Sequence, residues 1–342
     1  MHSVATSTLA WIGFCTFILI MLAIDLGVFN RKPHEITTRD AAIWSGVWIG
    51  LALTFAGLLF GPLGWELFGA ARHQKALEFL TGYLIELSLS VDNLFVFLII
   101  FSYFKVPAKY QHRVLYWGVL GALVMRVTMI FAGTALINRF HAIIYLMGAF
   151  LVYTGFRMLF ASDEEANPED RRLVHWVTRF VPIVRHYERR KFFTVVDGKR
   201  VGTLLLLVLI VVEITDLVFA VDSIPAIFGV TRDRFIVYTS NVFAILGLRT
   251  LYFLLAEVVE RFHYLKIGLG IVLAFIGVKM LLPLLSEVFA WVFGSFGMST
   301  LAGYVSEIRE VPIGIALGVV VLVLLASVGI SLMWPPTRKS HR

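Results

Sequence analysis

The chain has 342 residues, of which 59% are hydrophobic and 15% are charged, with a mean hydropathy of +0.84. Soluble domains carry about 25% charged residues, so the composition excludes an ordinary soluble enzyme and indicates a polytopic membrane protein. The formal net charge of +7 is explained by basic loops next to anionic lipid, so we expect a lipid bilayer and no nucleic acid as partner.

Nine apolar stretches follow one another, each close to the roughly 20 residues that a membrane-spanning helix needs. The predicted spans are residues 7–28, 41–61, 78–101, 114–136, 142–161, 203–228, 236–257, 264–285 and 312–334. The sequence lacks the alternation of a membrane β-barrel, so the predicted fold class is an all-α polytopic membrane protein with about nine transmembrane helices. Since no Lys or Arg precedes the first span, we expect it to be retained and not cleaved as a signal peptide.

Lys and Arg residues are unevenly divided between the predicted loops. With the N-terminus outside, 21 of the 30 lie in cytoplasmic segments and 7 in outer segments, while Arg126 and Arg249 lie within spans. Basic loops are retained on the cytoplasmic side, so the distribution predicts an N-out/C-in orientation.

Two groups of three spans resemble each other. Gly155–Leu159 matches Gly277–Leu281, and Arg126 and Arg249 occupy similar places in the middle span of each group. An odd number of spans inverts the second group, and inverted repeats are typical of secondary transporters. The predicted organisation is two N-terminal helices (1–77), a first three-helix repeat (78–161), a cytoplasmic loop (162–202), an inverted second repeat (203–285), and an extracytoplasmic segment with the last span and a cytoplasmic tail (286–342).

The longer loops carry weaker signals. Apolar residues between 173 and 184 predict an amphipathic helix in the membrane interface. Residues 192–201, with Asp197 and Gly198 at the turn, predict a small β-hairpin. Residues 286–311 are glycine-containing and predict an irregular or re-entrant segment, to which the sequence assigns no role.

An acidic motif occurs once in each repeat. Residues 86–93 read Glu-Leu-Ser-Leu-Ser-Val-Asp-Asn, and residues 216–223 read Asp-Leu-Val-Phe-Ala-Val-Asp-Ser. A charged side chain at mid-bilayer costs about 2.5–3.5 kcal/mol, so a chain that carries this cost twice is expected to hold a positive charge with these groups. The two acids of each motif lie about 120° apart on a regular helix, and Pro225 removes a backbone donor, so we predict helix breaks near 90–93 and 220–224.

These motifs and their neighbours supply a candidate metal site. The predicted ligands are Glu86, Asp92, Asn93, Glu213, Asp216 and Asp222. The predicted supporting residues are Ser90, Thr215, Ser223, Arg126, Arg249 and Asn241. A set of oxygen donors suits Mn2+, Mg2+ or Ca2+ better than Zn2+ or Cu+, and residue types alone do not separate the first three ions.

The roles of the supporting residues have alternatives. Arg126 and Arg249 either pair with the acids when no metal is bound or pack against backbone carbonyls. Asn241 either contacts the site or forms hydrogen bonds between helices in lipid. The five predicted acidic ligands also have a purely structural alternative, in which they only hold helices together; they are Glu86, Asp92, Glu213, Asp216 and Asp222.

At these motifs the chain resembles the TerC family and, within it, the Alx-like manganese exporters of bacteria. The resemblance rests on Gly82–Glu86, Ser90–Asn93, Glu213–Asp216, Phe219–Ala226 and Thr239–Asn241, and it runs from residue 25 to the last span. It implies a multi-pass protein of the bacterial inner membrane that exports Mn2+, with the metal role on the six acidic and amide ligands named above. Many relatives carry a basic residue after the first Glu, where this chain has Leu87.

The sequence therefore predicts a secondary transporter that exports a divalent cation, with Mn2+ chosen by resemblance. P-loop, dinucleotide and hydrolase motifs are missing from the sequence, so neither an enzyme nor an organic cofactor is expected. Carboxylates release metal on protonation, which makes protons the expected coupling ion. The alternative is a metal-binding scaffold or accessory protein in metal or tellurite stress resistance, and the sequence names no protein partner.

Overall fold

The computed structural model is almost entirely helical. It describes residues 8–29, 38–140, 142–160, 182–184, 186–188, 191–196, 198–255, 264–295 and 311–333. The helices are α1 (Thr8–Phe29), α2 (Thr38–Phe60), α3 (Pro62–Phe68), α4 (Arg72–Tyr103), α5 (Ala108–Arg139), α6 (Ala142–Phe160), α7 (Leu204–Phe228), α8 (Arg234–Leu255), α9 (Leu265–Ser295) and α10 (Ile313–Met333). Strands β1 (Phe193–Val196) and β2 (Lys199–Gly202) pair antiparallel between α6 and α7.

Seven segments of the described chain are long and apolar enough to cross a membrane. They are Arg39–Phe60, Pro62–Tyr103, Ala108–Arg139, Ala142–Phe160, Leu204–Phe228, Leu265–Phe293 and Ile313–Met333. Two further apolar helical stretches, Thr8–Ile24 and Arg234–Leu248, are shorter. The all-α polytopic membrane fold is confirmed, while the count of nine spans, their orientation and the repeat remain predictions.

Helices α5 and α7 pack along each other in the same direction. Val212 lies over the backbone of Gly118 near the start of this contact, and Phe228 lies over Gly133 near its end. Small residues on α5 let the larger side chains of α7 come close to its backbone. This contact joins the middle span of the first predicted repeat to the first span of the second.

Helices α4 and α8 make the corresponding contact. Gly82 lies against Ser240 near the start of the pair, and the rings of Phe101 and Tyr252 meet edge to face 5.5 Å apart at its end. These helices also run in the same direction, and α4 additionally contacts α7. The four helices α4, α5, α7 and α8 thus form a bundle, in which α4 and α5 of the first predicted repeat pack against α8 and α7 of the second.

Helices α6 and α9 form the most extensive helix pair, and they run antiparallel. A Cβ on Gly277 would lie 2.6 Å from the Gly148 carbonyl oxygen, and a Cβ on Gly155 would lie 2.6 Å from the Gly270 carbonyl oxygen. Only glycine permits backbones to approach this closely. Exchanging the two predicted repeats would turn one of these contacts into the other.

The N-terminal helices cover the outer surface of α8. Phe14 of α1 contacts the rings of Phe55 and Phe243 at 5.7 and 5.8 Å, which joins α1, α2 and α8. In the same interface, the Ser45 hydroxyl donates a hydrogen bond to Thr250 Oγ1 at 3.1 Å. Burial of the aromatic rings is the main contribution to this contact.

The predicted hairpin is confirmed, with Gly198 at a positive φ of 76° in its turn. The preceding segment is anchored by Tyr187, whose hydroxyl donates a hydrogen bond to the Phe104 carbonyl at 2.7 Å. Burial raises the pKa of Tyr187 to about 12, so the phenol remains a donor at physiological pH. The hairpin is therefore tied to the connection between α4 and α5.

The predicted helix breaks near 90–93 and 220–224 are wrong. Both α4 and α7 continue as α-helix through these residues, and Pro225 lies inside α7. Pro225 is three residues before the end of α7 at Phe228, so only the last turn of the helix lies beyond the backbone hydrogen bond that it removes. The acids are therefore presented by regular helices.

Two further predictions, for residues 286–311 and 173–184, are wrong where the structure describes residues 286–295 and 182–184. Residues 286–295 continue α9 and are not irregular, since an apolar face with good helix formers extends the helix past Pro283; residues 296–310 lie outside the described chain. At the end of the predicted interfacial helix, Pro182 and Val184 are extended and bond to Gly202, which satisfies backbone groups that a helix would satisfy internally. Residues 173–181 lie outside the described chain.

Replacement of Gly277 by alanine should destabilise the α6–α9 pair by about 1–3 kcal/mol, because its Cβ would meet backbone atoms that cannot move aside. Thermal unfolding of the detergent-solubilised protein measures the effect. Gly318→Ala in α10 is the matched control, since within the described chain a Cβ at this position would meet no other side chain or helix within 4 Å. Equal melting temperatures for the two variants would contradict this interpretation of the packing.

Candidate functional site

A buried arginine occupies the centre of the four-helix bundle. Arg126 of α5 is 3% exposed, and its guanidinium lies among oxygen atoms from three other helices. Nη1 forms an ion pair with Glu86 and donates hydrogen bonds to Asn241 Oδ1 at 2.9 Å and Ser223 Oγ at 3.3 Å. Nη2 lies 3.9 Å from Asp216 Oδ1. We call these five residues the central cluster.

Helical spacing brings the α7 members to the interior. Asp216, Ala220 and Ser223 are buried at intervals of four and three residues, which places them on one face. Leu217 and Val218 are exposed on the opposite side and face the lipid of the expected bilayer. The face with Asp216 and Ser223 is thus directed towards the other helices, and the exposed positions Leu217 and Val218 are apolar.

Helix α4 presents the equivalent positions of the first motif. Glu86, Ser90 and Asn93 are all buried on one face, with the same spacing as on α7. Glu86 is only 1% exposed. The two acidic motifs therefore place Glu86 and Asp216 on facing sides of the bundle, where they share the charge of one arginine.

Asn241 connects the acid of α4 to the arginine. It is fully buried, donates from Nδ2 to Glu86 Oε2 at 3.3 Å, and accepts from Arg126 through Oδ1. These contacts lie at the predicted site and are also hydrogen bonds between helices, so both alternatives for Asn241 stay open. Arg126 contacts the acids Glu86 and Asp216, and its predicted role when no metal is bound stays a prediction.

The central cluster is incompletely satisfied. Asp216 Oδ2, Ser90 Oγ and Arg126 Nε are buried and have no hydrogen-bond partner within the described part of the chain. Buried polar atoms are rarely left unpaired, and those that are often belong to sites that take water, an ion or a ligand. Two carboxylates and one guanidinium also leave an excess negative charge when both acids are ionised, which favours a further cation.

The other predicted ligands lie around this cluster. Glu213 precedes Asp216 by one helical turn and is half-buried against Gly121. Thr215 Oγ1 donates to the Val211 carbonyl of its own helix at 2.8 Å. Asp222 is half-buried on α7. The side chains of Asp92 and Arg249 lie outside the description, so their predicted roles stay untested.

A preformed metal cage is not present among the described side chains, where no group of three or more His, Cys, Asp and Glu is placed to hold an ion. The two acids that do converge are held by Arg126. In the structure the Arg126 guanidinium thus lies between the carboxylate oxygens of Glu86 and Asp216.

A second polar cluster, which the sequence analysis missed, joins the start of α4 to the α7–α8 connection. Glu78 is buried and accepts hydrogen bonds from Lys75 at 2.8 Å and from Thr231. Lys75 also lies 3.5 Å from Asp233, which caps the first turn of α8. The spacing of three residues between Lys75 and Glu78 was a signal for the ion pair, whereas its link to Asp233 depends on the tertiary structure.

The chain resembles known membrane proteins over most of its length. A profile described as the integral membrane protein TerC family matches residues 71–339. The chain is 51% identical over 270 residues to an uncharacterised membrane protein of Myxococcus xanthus, covering 79% of this chain and 82% of that protein. It is 39% identical over 272 residues to an uncharacterised membrane protein of Rickettsia bellii, covering 80% and 87%.

A further relative has a descriptive name. The chain is 51% identical over 283 residues to a protein of Escherichia coli (strain K12), covering 82% of this chain and 88% of that protein. That protein is called Alx and is provisionally described as a membrane-bound redox modulator. No solved structure is significantly similar to the chain.

Replacement of Arg126 by glutamine should lower the free energy of unfolding by about 3–5 kcal/mol, because it leaves Glu86 and Asp216 buried without their shared cation. Denaturant or thermal unfolding in detergent measures the loss. Adding Glu86→Gln should recover part of it, since one buried charge is then removed. Arg139→Gln, at the exposed end of the same helix, is the control, and an equal loss there would contradict this role of Arg126.

Proposed function

The chain belongs to the TerC family of integral membrane proteins, and we propose that it is a secondary transporter that exports a divalent metal cation, Mn2+, across the bacterial inner membrane. The observation that carries the proposal is the central cluster. Oxygen atoms of Glu86, Asp216, Ser223 and Asn241, from three helices, surround one buried positive charge. A transported cation would use the same oxygen atoms.

The donor set supports the substrate class. Carboxylate, amide and hydroxyl oxygens are the ligands of hard divalent cations, and the described cluster contains neither His nor Cys. The choice of Mn2+ over Mg2+ and Ca2+ follows from the family resemblance. Asp92, Asn93, Glu213 and Asp222 of the acidic motifs are the additional ligands that this proposal assigns.

Arg126 acts in this proposal as the counter-ion that the site carries when the metal is absent. Without it, two carboxylates would be left unneutralised within the bundle. When a divalent cation arrives, the guanidinium gives way and the oxygen atoms turn to the metal. The guanidinium of Arg126 stabilises the site when no metal is bound. Because it competes with the metal for the same oxygen atoms, it also favours release of the bound metal.

The arrangement of helices supports alternating access. In this proposal the contacts of α4 with α8 and of α5 with α7 put the central cluster between the two predicted repeats, where inverted-repeat transporters bind their substrates. In the N-out/C-in orientation the α7 start lies at the cytoplasmic side, and rocking of the two halves would expose the cluster first to one side and then to the other. Protons that compete for the carboxylates provide the coupling to a pH gradient.

The scaffold alternative uses the same contacts for assembly alone. In that case the acids and Arg126 would join helices, and no ion would cross the bilayer. The relative Alx is described as a redox modulator, but its name identifies no cofactor-binding residue in this chain. In our proposal the protein is neither an enzyme nor the carrier of an organic cofactor. The following measurement separates transport from scaffolding.

Inside-out vesicles containing the wild-type protein should take up Mn2+ when an outward-directed proton gradient is imposed. Asp216→Asn and Glu86→Gln should lower uptake at least tenfold, because each removes a carboxylate from the central cluster. Uptake is measured as the metal content of washed vesicles, and Mn2+, Mg2+ and Ca2+ are compared in this same assay.

Ser88→Ala provides the matched control, since the Ser88 hydroxyl only bonds to the Leu84 carbonyl of its own helix at 2.7 Å. This variant should transport at the wild-type rate. If wild-type vesicles take up none of the three cations under any gradient, transport is rejected and the scaffold function gains support.

Mn2+ should raise the melting temperature of Arg126→Gln more than that of the wild type. The metal then fills an empty negative site, whereas in the wild-type protein it must first displace the guanidinium. The variant is purified with Mn2+ bound and compared before and after addition of a chelator. A larger Mn2+ response in the wild type would rule out competition between the arginine and the metal.

A further inference from the structure

Gly121 of α5 leaves the space that the Glu213 carboxylate occupies. The three atoms nearest to a Cβ built at Gly121 are Cδ, Oε1 and Oε2 of Glu213, and all lie well within van der Waals contact of that position. They belong to the end of one flexible side chain and not to backbone. A side chain at residue 121 would therefore displace the carboxylate and leave the helix packing unchanged.

Packing alone does not explain a glycine at this position. Glycine inside a helix is less favourable than alanine by about 0.5–1 kcal/mol. At Gly118, one turn earlier on the same face, a Cβ would lie 3.5 Å from Val212 Cγ1, which is ordinary contact. Alanine at residue 118 would therefore fit between α5 and α7. Alanine at residue 121 would instead collide with the Glu213 carboxylate.

Glu213 has the properties of a first binding group for a cation. It is half-buried, whereas Asp216 is buried, and it has no cation within 4 Å among the described side chains. It lies one turn nearer to the start of α7, about 4.5 Å along the helix axis from Asp216. In the N-out/C-in orientation this is the cytoplasmic side of the central cluster.

We propose that Gly121 is a positioning residue that seats the Glu213 carboxylate between α5 and α7, where it binds the divalent cation before the cation reaches Asp216. The inference rests on the proposed transport function. It assigns to Gly121 a role in substrate affinity that acts through Glu213. It also explains how an acid without a described counter-ion is held inside the bundle.

The test compares Gly121→Ala with Gly118→Ala in inside-out vesicles. Gly121→Ala should raise the KM for Mn2+ about tenfold with little change in the maximal rate, because the first binding group is displaced while the central cluster stays intact. Gly118→Ala should stay within twofold of the wild type. Both variants should melt at or above the wild-type temperature, since alanine favours the helix.

A second substitution at Glu213 separates positioning from a general effect on the helix. Glu213→Asp shortens the side chain by one methylene, so it should restore part of the affinity lost in Gly121→Ala. Glu213→Gln has already lost the charge, so adding Gly121→Ala to it should change the KM no further. Non-additivity of this kind is the mark of two residues that act as one unit.

The outcomes distinguish the two proposals. Absence of divalent-cation uptake by the wild type rejects the proposed transport function itself. Uptake by the wild type with the same KM in Gly121→Ala and Gly118→Ala rejects the role of Gly121 alone. A raised KM in Gly121→Ala that Glu213→Asp does not relieve, or that Glu213→Gln does not mask, also rejects it.

Discussion

The burial of two carboxylates on facing helices with one shared guanidinium is the constraint on which the rest of the structure depends. Glu86 and Asp216 come from different predicted repeats, and each would be costly in the bundle without Arg126. Because Arg126 must lie close to both carboxylates, α4, α5 and α7 have to pack with these three residues at the same level of the bundle. Asn241 of α8 completes it by bonding to both charges. The proposed cation site and the structural ion pair are thus the same group of atoms.

Glycine determines how closely the helices can approach this cluster. At Gly155, Gly270 and Gly277, a Cβ would lie less than 3 Å from backbone atoms of the facing helix, so the backbones of α6 and α9 meet there. At Gly121 the space is filled by a carboxylate instead. Glycine therefore serves two purposes in the protein: it lets the backbones of α6 and α9 meet, and at Gly121 it leaves room for the Glu213 carboxylate between α5 and α7.

Much of the local structure could be predicted from the sequence. The apolar stretches located the helices to within a few residues at most ends, and Asp197-Gly198 located the hairpin turn. The failure at 90–93 and 220–224 has a clear cause: the acids of each motif were required to reach one ion from one helix. In the structure, Glu86 and Asp216 reach one arginine from two helices, so neither helix needs to break. The cluster around Glu78 was missed because its partners Thr231 and Asp233 are distant in the chain.

The sequence by itself determined that the chain is a membrane protein, that its acids occur in repeated motifs, and which residue types are available as ligands. These properties follow from composition and helical periodicity, which are local. Only the tertiary structure decided that Arg126 lies between Glu86 and Asp216, and that Glu213 is seated against Gly121. The neighbours of a buried charge depend on which helix faces meet, and helix packing joins residues about a hundred positions apart that no local pattern relates.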